Sequence, residues 1–272
     1  MTDLTDPARI DVLTGRPAAA SVIAACLAEQ AKLLPRRRLA DILGISPLAD
    51  DAVPWYTGAL GELQVGRELE RLAAADGWAV LHAVPVGTRD SDIDHVAIGP
   101  AGVFTINTKH HSGQRISIGR SQIFVSGRPH PYIRNSKFEA TRVARRLTEA
   151  VGFEVHARPV LAFVDPKELN GKRELDGVSI VHASSLVRWL SKQPAIWGPD
   201  ASAAVTRAAQ LPTTWRSAPV DSADDDANLV AFAALRRKVT AMRNVRALWA
   251  FGGLGALLTA AWVGLEMLTR LV

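Results

Sequence analysis

Asp94, Asn107, Thr108 and Lys109 are the residues of this chain whose types and spacing could do chemistry. Asp92-Ile93-Asp94-His95 opens an apolar stretch that ends at Gly99-Pro100, and Gly102-Val103-Phe104 opens a second that ends on Asn107-Thr108-Lys109. The two read as short strands joined by a Gly-Pro turn, filled by the β-branched and aromatic residues that strands favour. Asn107 and Lys109 are two apart and therefore share a face, with the Thr108 carbonyl between them. This is the layout of a metal-dependent phosphodiesterase site. Phosphodiester hydrolysis uses a divalent ion to polarise a phosphoryl oxygen and activate water. Mg²⁺ or Mn²⁺ takes hard oxygen ligands, usually one or two carboxylates plus waters. A nearby Lys stabilises charge that develops on the phosphorus.

Other elements must position these groups. Leu60 to Ala75 reads as a helix ending before Gly77, with Glu62 in its first turn. Glu62 either complements the helix dipole or faces the strand ends. Trp78 to Val86 is a strand, and Arg115–Ile118 with Gln122–Val125 form a hairpin around Gly119-Arg120-Ser121. A second helix covers Asn135 to Val151, with Phe138, Leu147 and Val151 as apolar anchors. Val155–Val164 and Gly177–His182 are further strands, and Ser184 caps a helix running to about Lys192. The order of these elements implies an α/β fold, a mixed sheet flanked by helices.

From about Gly58 to Asp165 the chain resembles the NERD (nuclease-related) domain of the PD-(D/E)xK, restriction-endonuclease-like superfamily. The matching pieces are Gly61-Glu62, Ile93-Asp94-His95, and Gly102-Val103-Phe104 running into Asn107-Thr108-Lys109, with Pro54-Trp55-Tyr56 and His110-His111-Ser112-Gly113 around them. The resemblance implies a restriction-endonuclease-like sheet. It also implies a metal site built from Glu62, Asp94, the residue at Asn107 and the Thr108 backbone carbonyl, with Lys109 catalytic.

The superfamily pattern has an acid where this chain has Asn107. An amide oxygen can ligate Mg²⁺ but carries no charge, so metal affinity should fall. Glu139, on the following helix, is a rescue candidate if it points back at the sheet. Three readings stay open. One is a metal-dependent nuclease acting on DNA, and a second is a nucleic-acid-binding module that does not cut. The third is a membrane-anchored protein-interaction module. His95, His110, His111, Arg115 and Arg134 are the candidates for nucleic-acid contact, with Arg120, Arg128, His130 and Lys137 nearby. Backbone contacts of this kind give salt-dependent affinity without sequence specificity. Basic residues also decorate solvated hairpins, and a strand histidine such as His95 is commonly a packed residue. No third His or Cys accompanies His110 and His111 at zinc-site spacing.

With 272 residues, the chain is long enough for one substantial core with extensions, and a net charge of +5 allows a polyanionic partner or an anionic membrane surface. One cysteine, Cys26, excludes an internal disulfide and reads as a core residue. Residues 1–53 are expected as a helical N-terminal extension, with a helix from Ala18 to Leu34. Acids precede that apolar stretch, so it reads as a packed helix rather than a signal peptide. Asp50 to Pro54 reads as a linker, 54–192 as the nuclease-related domain, and 193–226 as a linker with a short helix around Ala201–Gln210.

The remainder, 227–272, begins as a basic helix and carries 19 uncharged residues, 247–265. That is the length of one C-terminal transmembrane helix. Arg236, Arg237, Lys238, Arg243 and Arg246 lie upstream, which predicts a single-pass protein of the cell membrane with its N-terminal bulk in the cytoplasm. The alternative is a buried or partner-packed helix. Gly252, Ala256, Ala260 and Gly264 recur every four residues, a stripe that would let two copies pair as a homodimer.

Overall fold

The fold is that of a computed structural model, which describes residues 13–33, 38–74, 77–86, 92–215 and 224–269; from residue 253 onward it describes the side chains of Thr259 and Trp262. In chain order the elements are α1 (Ala20–Ala31), α2 (Arg38–Ile42), α3 (Val53–Ala73), β1 (Ala79–Pro85), β2 (Asp92–Gly99) and β3 (Gly102–His110). They continue with β4 (Arg115–Ile118), β5 (Ile123–Val125), β6 (Arg128–His130), α4 (Tyr132–Val151) and β7 (Ala157–Val164). The last are β8 (Glu168–Asn170), β9 (Glu174–Leu175), β10 (Val178–His182), α5 (Leu186–Leu190), α6 (Pro199–Gln210), α7 (Pro212–Trp215) and α8 (Asp225–Thr269).

Six strands form the main sheet in the order β1-β2-β3-β7-β10-β9. The strands β1, β2 and β3 are antiparallel neighbours, β7 joins β3 in parallel, β10 joins β7 in parallel, and β9 closes the edge antiparallel. The sheet is therefore mixed, as its element order implied, with helices on both faces. A smaller sheet, β6-β5-β4-β8, stands beside it.

The two faces are covered by different helices. Val65, Leu69 and Leu72 of α3 pack with Phe104 and Ile106 of β3, together with Leu186 and Leu190 of α5. Val143 and Leu147 of α4 pack with Val96 and Ile98 of β2 and Val103 of β3. Alternation along β2 and β3 sends neighbouring residues to opposite helices.

Several expected boundaries move. The helix expected from Leu60 begins at Val53, because Pro54 sits in its first turn, where a missing N–H costs nothing. Residues 50–54 are thus a short helical turn and a helix start rather than a linker. Within the segment expected as a linker, α6 and α7 bury Val205, Ala209 and Trp215 in the cluster beneath α4. The N-terminal extension packs too: Ile23 and Cys26 of α1 sit with Tyr56 and Ala59 of α3 and Phe232 of α8. Phe138, expected as an anchor of α4, is 63% exposed, since the buried stripe of that helix runs Ile133, Ser136, Ala140, Val143, Leu147.

Among the described residues no helix is long and apolar enough to cross a membrane, so the transmembrane span expected at 247–265 is unsupported. The first half of α8 is charged and packs on the body of the molecule through Leu229, Phe232, Leu235 and Val239. Most side chains of the expected span lie outside the described residues, as do Ala256, Ala260 and Gly264 of the small-residue stripe.

Candidate active site

The β2–β3 register pairs His95 with Ile106 and Val96 with Thr105, and its continuation sets Asp94 across from Asn107. Both point to the α4 side of the sheet. Asp94 Oδ2 accepts a hydrogen bond from the Thr108 backbone N–H at 2.6 Å, which fixes the carboxylate at the strand end. Burial nevertheless pushes the Asp94 carboxyl up, against the pull of Lys109 and of that hydrogen bond.

Glu139 does point back at the sheet. Asn107 Nδ2 donates to both oxygens of its carboxylate, each at 2.8 Å. The ionised carboxylate only accepts, so opposite that form of Glu139 the amide nitrogen faces α4. Asn107 Oδ1 is consequently turned away, buried and without a partner. Such an oxygen is costly unless something else meets it. Burial, and then the Asp94 charge, raise the Glu139 carboxyl to about 7.

Glu62 is 7% exposed on α3. Its carboxyl is raised well above the usual range by burial first, then by Asp94 and Asp92, with Lys109 opposing. The approach of α3 to β3 depends on Gly61. A Cβ there would lie 2.8 Å from the Cβ of His110 and 3.3 Å from Thr108 Cγ2, so any side chain would force the helix outward. The resemblance placed Gly61 beside Glu62; its physical role is to let the helix come close. Lys109 Nζ sits 5.1 Å from the ring centroid of Tyr132.

The other expected contacts fall differently. His95 is fully buried with its Nδ1 2.8 Å from the Nδ1 of His82, so it is not placed to touch a nucleic acid. His110 Nδ1 donates to the Thr57 carbonyl at 2.8 Å, which ties β3 to α3. His111 Nε2 lies 2.8 Å from the Tyr132 hydroxyl, and burial lowers its pKa to about 4, so the ring is neutral. Arg115 is exposed and 3.4 Å from Glu168. Arg134 is exposed and lines clefts on both sides of it.

Three residues near the site escape a motif reading. Asp92 shares a face with Asp94, a period-two signal, and pairs with Arg16 at 2.7 Å. Opposite Asp94 in β1, Ala83 holds φ at +46°, and its carbonyl accepts from the same Arg16. Tyr132 stands under Lys109 with nothing in the sequence to mark it.

The fold and the site together describe a mixed α/β protein with carboxylates, an amide oxygen and a lysine gathered at the end of a strand pair. The family model of the nuclease-related domain, NERD, matches residues 57–164, about two-fifths of the chain. That match runs from the first turns of α3 to the end of β7 and contains Glu62, Asp94, Asn107, Lys109 and Glu139. The nuclease-like character of this region rests on that match. No curated protein and no solved structure matches the chain.

Proposed function

We propose that this protein is a metal-dependent phosphodiesterase of restriction-endonuclease-like architecture that cuts DNA, with Glu139 supplying the negative charge that Asn107 lacks. The observation that carries the reading is the buried Asn107 Oδ1, unpartnered while its amide nitrogen is held by Glu139. Among the described residues no three His, Cys, Asp or Glu side chains form a ready-made metal cluster. The fit comes instead from a mixed set: Asp94, Asn107 Oδ1 and the Thr108 carbonyl as ligands, with Glu62 and Glu139 adding charge. Mg²⁺ or Mn²⁺ suits these oxygens, and when bound such an ion supplies phosphoryl polarisation and a more acidic water. Three carboxyl groups raised by burial, with the Asp94 charge adding to the rise at Glu62 and Glu139, are the electrostatic signature of a place that favours a cation.

The chain's own groups do the rest. The Thr108 N–H holds Asp94, Glu139 orients the Asn107 amide, and Lys109 presents an ammonium to the charge that builds on a phosphoryl group. The test is cleavage of labelled linear and circular DNA with Mg²⁺, Mn²⁺ or EDTA. Asp94→Ala and Lys109→Ala should each lower the rate about a hundredfold or more. Full cleavage by Lys109→Ala would sink the reading. Metal-independent DNA binding without cleavage would favour the second reading, a binding module, to which the uncharged Asn107 points.

Membrane attachment is a separate proposal that rests on the uncharged run 247–265 and the arginines before it. Leu248, Trp249 and Phe251 at its start are exposed. Flotation with lipid vesicles should be lost when residues 247–272 are deleted. Pairing of two copies through Gly252, Ala256, Ala260 and Gly264 has the same basis, and Ala256→Ile with Ala260→Ile should abolish it in a membrane reporter of self-association.

A further inference from the structure

Phe138 is not part of the buried stripe of α4. It is 63% exposed on a helix whose apolar face is elsewhere, and it sits one residue from Glu139. Arg134, Phe138 and Arg142 are spaced four apart and so form one stripe along α4. The Arg142 guanidinium lies 5.5 Å from the centroid of the Phe138 ring, and it also donates to the Val86 carbonyl. The ring is therefore backed by a tethered cation, and its other surface is open to solvent.

The same stripe lines a cleft of about 410 Å³ whose wall includes Asp92 and Glu139. Asp92 is neutralised there by Arg16. Beyond Arg134 a second cleft of about 570 Å³ continues past Gln122 and His130, where Lys137 is paired with Asp176 at 2.6 Å. An aromatic platform flanked by two arginines, Arg134 and Arg142, is how proteins hold an unpaired strand: arginines follow the phosphates and a base stacks on the ring. A duplex keeps its bases inside and offers nothing to Phe138.

We propose that Phe138 is a stacking platform for an unpaired base, and that the substrate is single-stranded nucleic acid or the frayed end of a duplex. The proposal deepens the nuclease reading and rests on it for the meaning of the site, but its test does not depend on cleavage. Binding of the full-length protein is measured in EDTA, by anisotropy, to labelled oligothymidylate, to its ribose counterpart, to a blunt duplex of equal length and to an abasic strand. The wild type should prefer the unpaired strands with bases over the duplex and the abasic strand. Phe138→Ala should weaken oligothymidylate binding about fivefold or more and leave duplex binding nearly unchanged. Phe138→Trp should restore it. The ribose arm decides which sugar is preferred. Equal affinity of wild type and Phe138→Ala for the unpaired strand would overturn the proposal, as would equal affinity for abasic and base-bearing strands. Stacking-dependent binding by a protein that cuts nothing would sustain the platform while the nuclease reading falls.

Discussion

Asp94 and His95 are adjacent in β2, yet they lie on opposite faces of the sheet and in opposite electrostatic company. Under α4, Asp94 joins Asn107, Glu139 and Lys109, and the Asp94 and Glu139 carboxyls are held above their usual range. Under α3, His95 meets His82 edge-on, with ring centroids 5.0 Å apart, and both are held below theirs. Burial does the same thing to both sets: it disfavours the charged form. What differs is the remedy. The histidines become neutral and share one proton between their Nδ1 atoms, which leaves no charge to compensate, although His95 Nε2 stays buried without a partner. The carboxylates face a lysine and an unpartnered amide oxygen, an arrangement that a cation completes. Gly66 sharpens the contrast: on α3 it packs beside the histidine rings, and a Cβ there would fall 2.6 Å from that of Ala18. Around the two rings that face is tightly packed.

The largest break in the comparison comes from removing charge on the α4 side. Asp94→Ala and Lys109→Ala should each lower metal-dependent cleavage about a hundredfold or more, because they remove groups that meet the ion or the phosphoryl charge. Glu139→Gln should act more gently. It keeps the volume and can still bond Asn107, but it removes the compensating charge. Metal affinity, read by calorimetry, should fall about tenfold or more. Metal-free stability above pH 7 should rise, because the carboxylate that burial opposes is gone. Unchanged metal binding by Glu139→Gln would remove Glu139 from the site.

Much of this was legible in the sequence, and the parts that were not share a physical reason. Alternation of apolar residues marked β2 and β3, and the period of two placed Asn107 and Lys109 together. Helix periodicity found α4 but misassigned Phe138, because a single aromatic fits a 3.6 period on either side of a helix flank. Composition made 193–226 look like a linker, since Pro and Gly are read as punctuation; Trp215, fully buried, shows that short helices between such residues can complete a core. The Asn107–Glu139 contact joins residues on a strand and on a helix 32 positions apart, and no local pattern encodes it. The His82–His95 pair depends on cross-strand register, which sequence spacing alone does not set.

The smallest expected effect, and the one that tests the contrast itself, is the dependence of stability on pH in EDTA. Glu139 moves from an ordinary value of 4.5 to about 7, so between those values the folded state binds more protons than the unfolded, and stability falls as pH rises. His82 moves from 6.5 down to about 4, so there the unfolded state binds more protons, and stability falls as pH drops through that window. In the wild-type protein the two trends oppose each other over the shared range. Glu139→Gln should leave the histidine limb exposed, giving a melting temperature that climbs more steeply from pH 4 to 6.5. His82→Leu should do the reverse and flatten or invert that climb, whatever it does to absolute stability. If neither variant changes the slope, burial is not what sets these groups apart. Adding Mg²⁺ should then act on one face only: it competes with the Glu139 proton, so its stabilising effect should grow as pH rises through about 7 and be the same in His82→Leu as in the wild type.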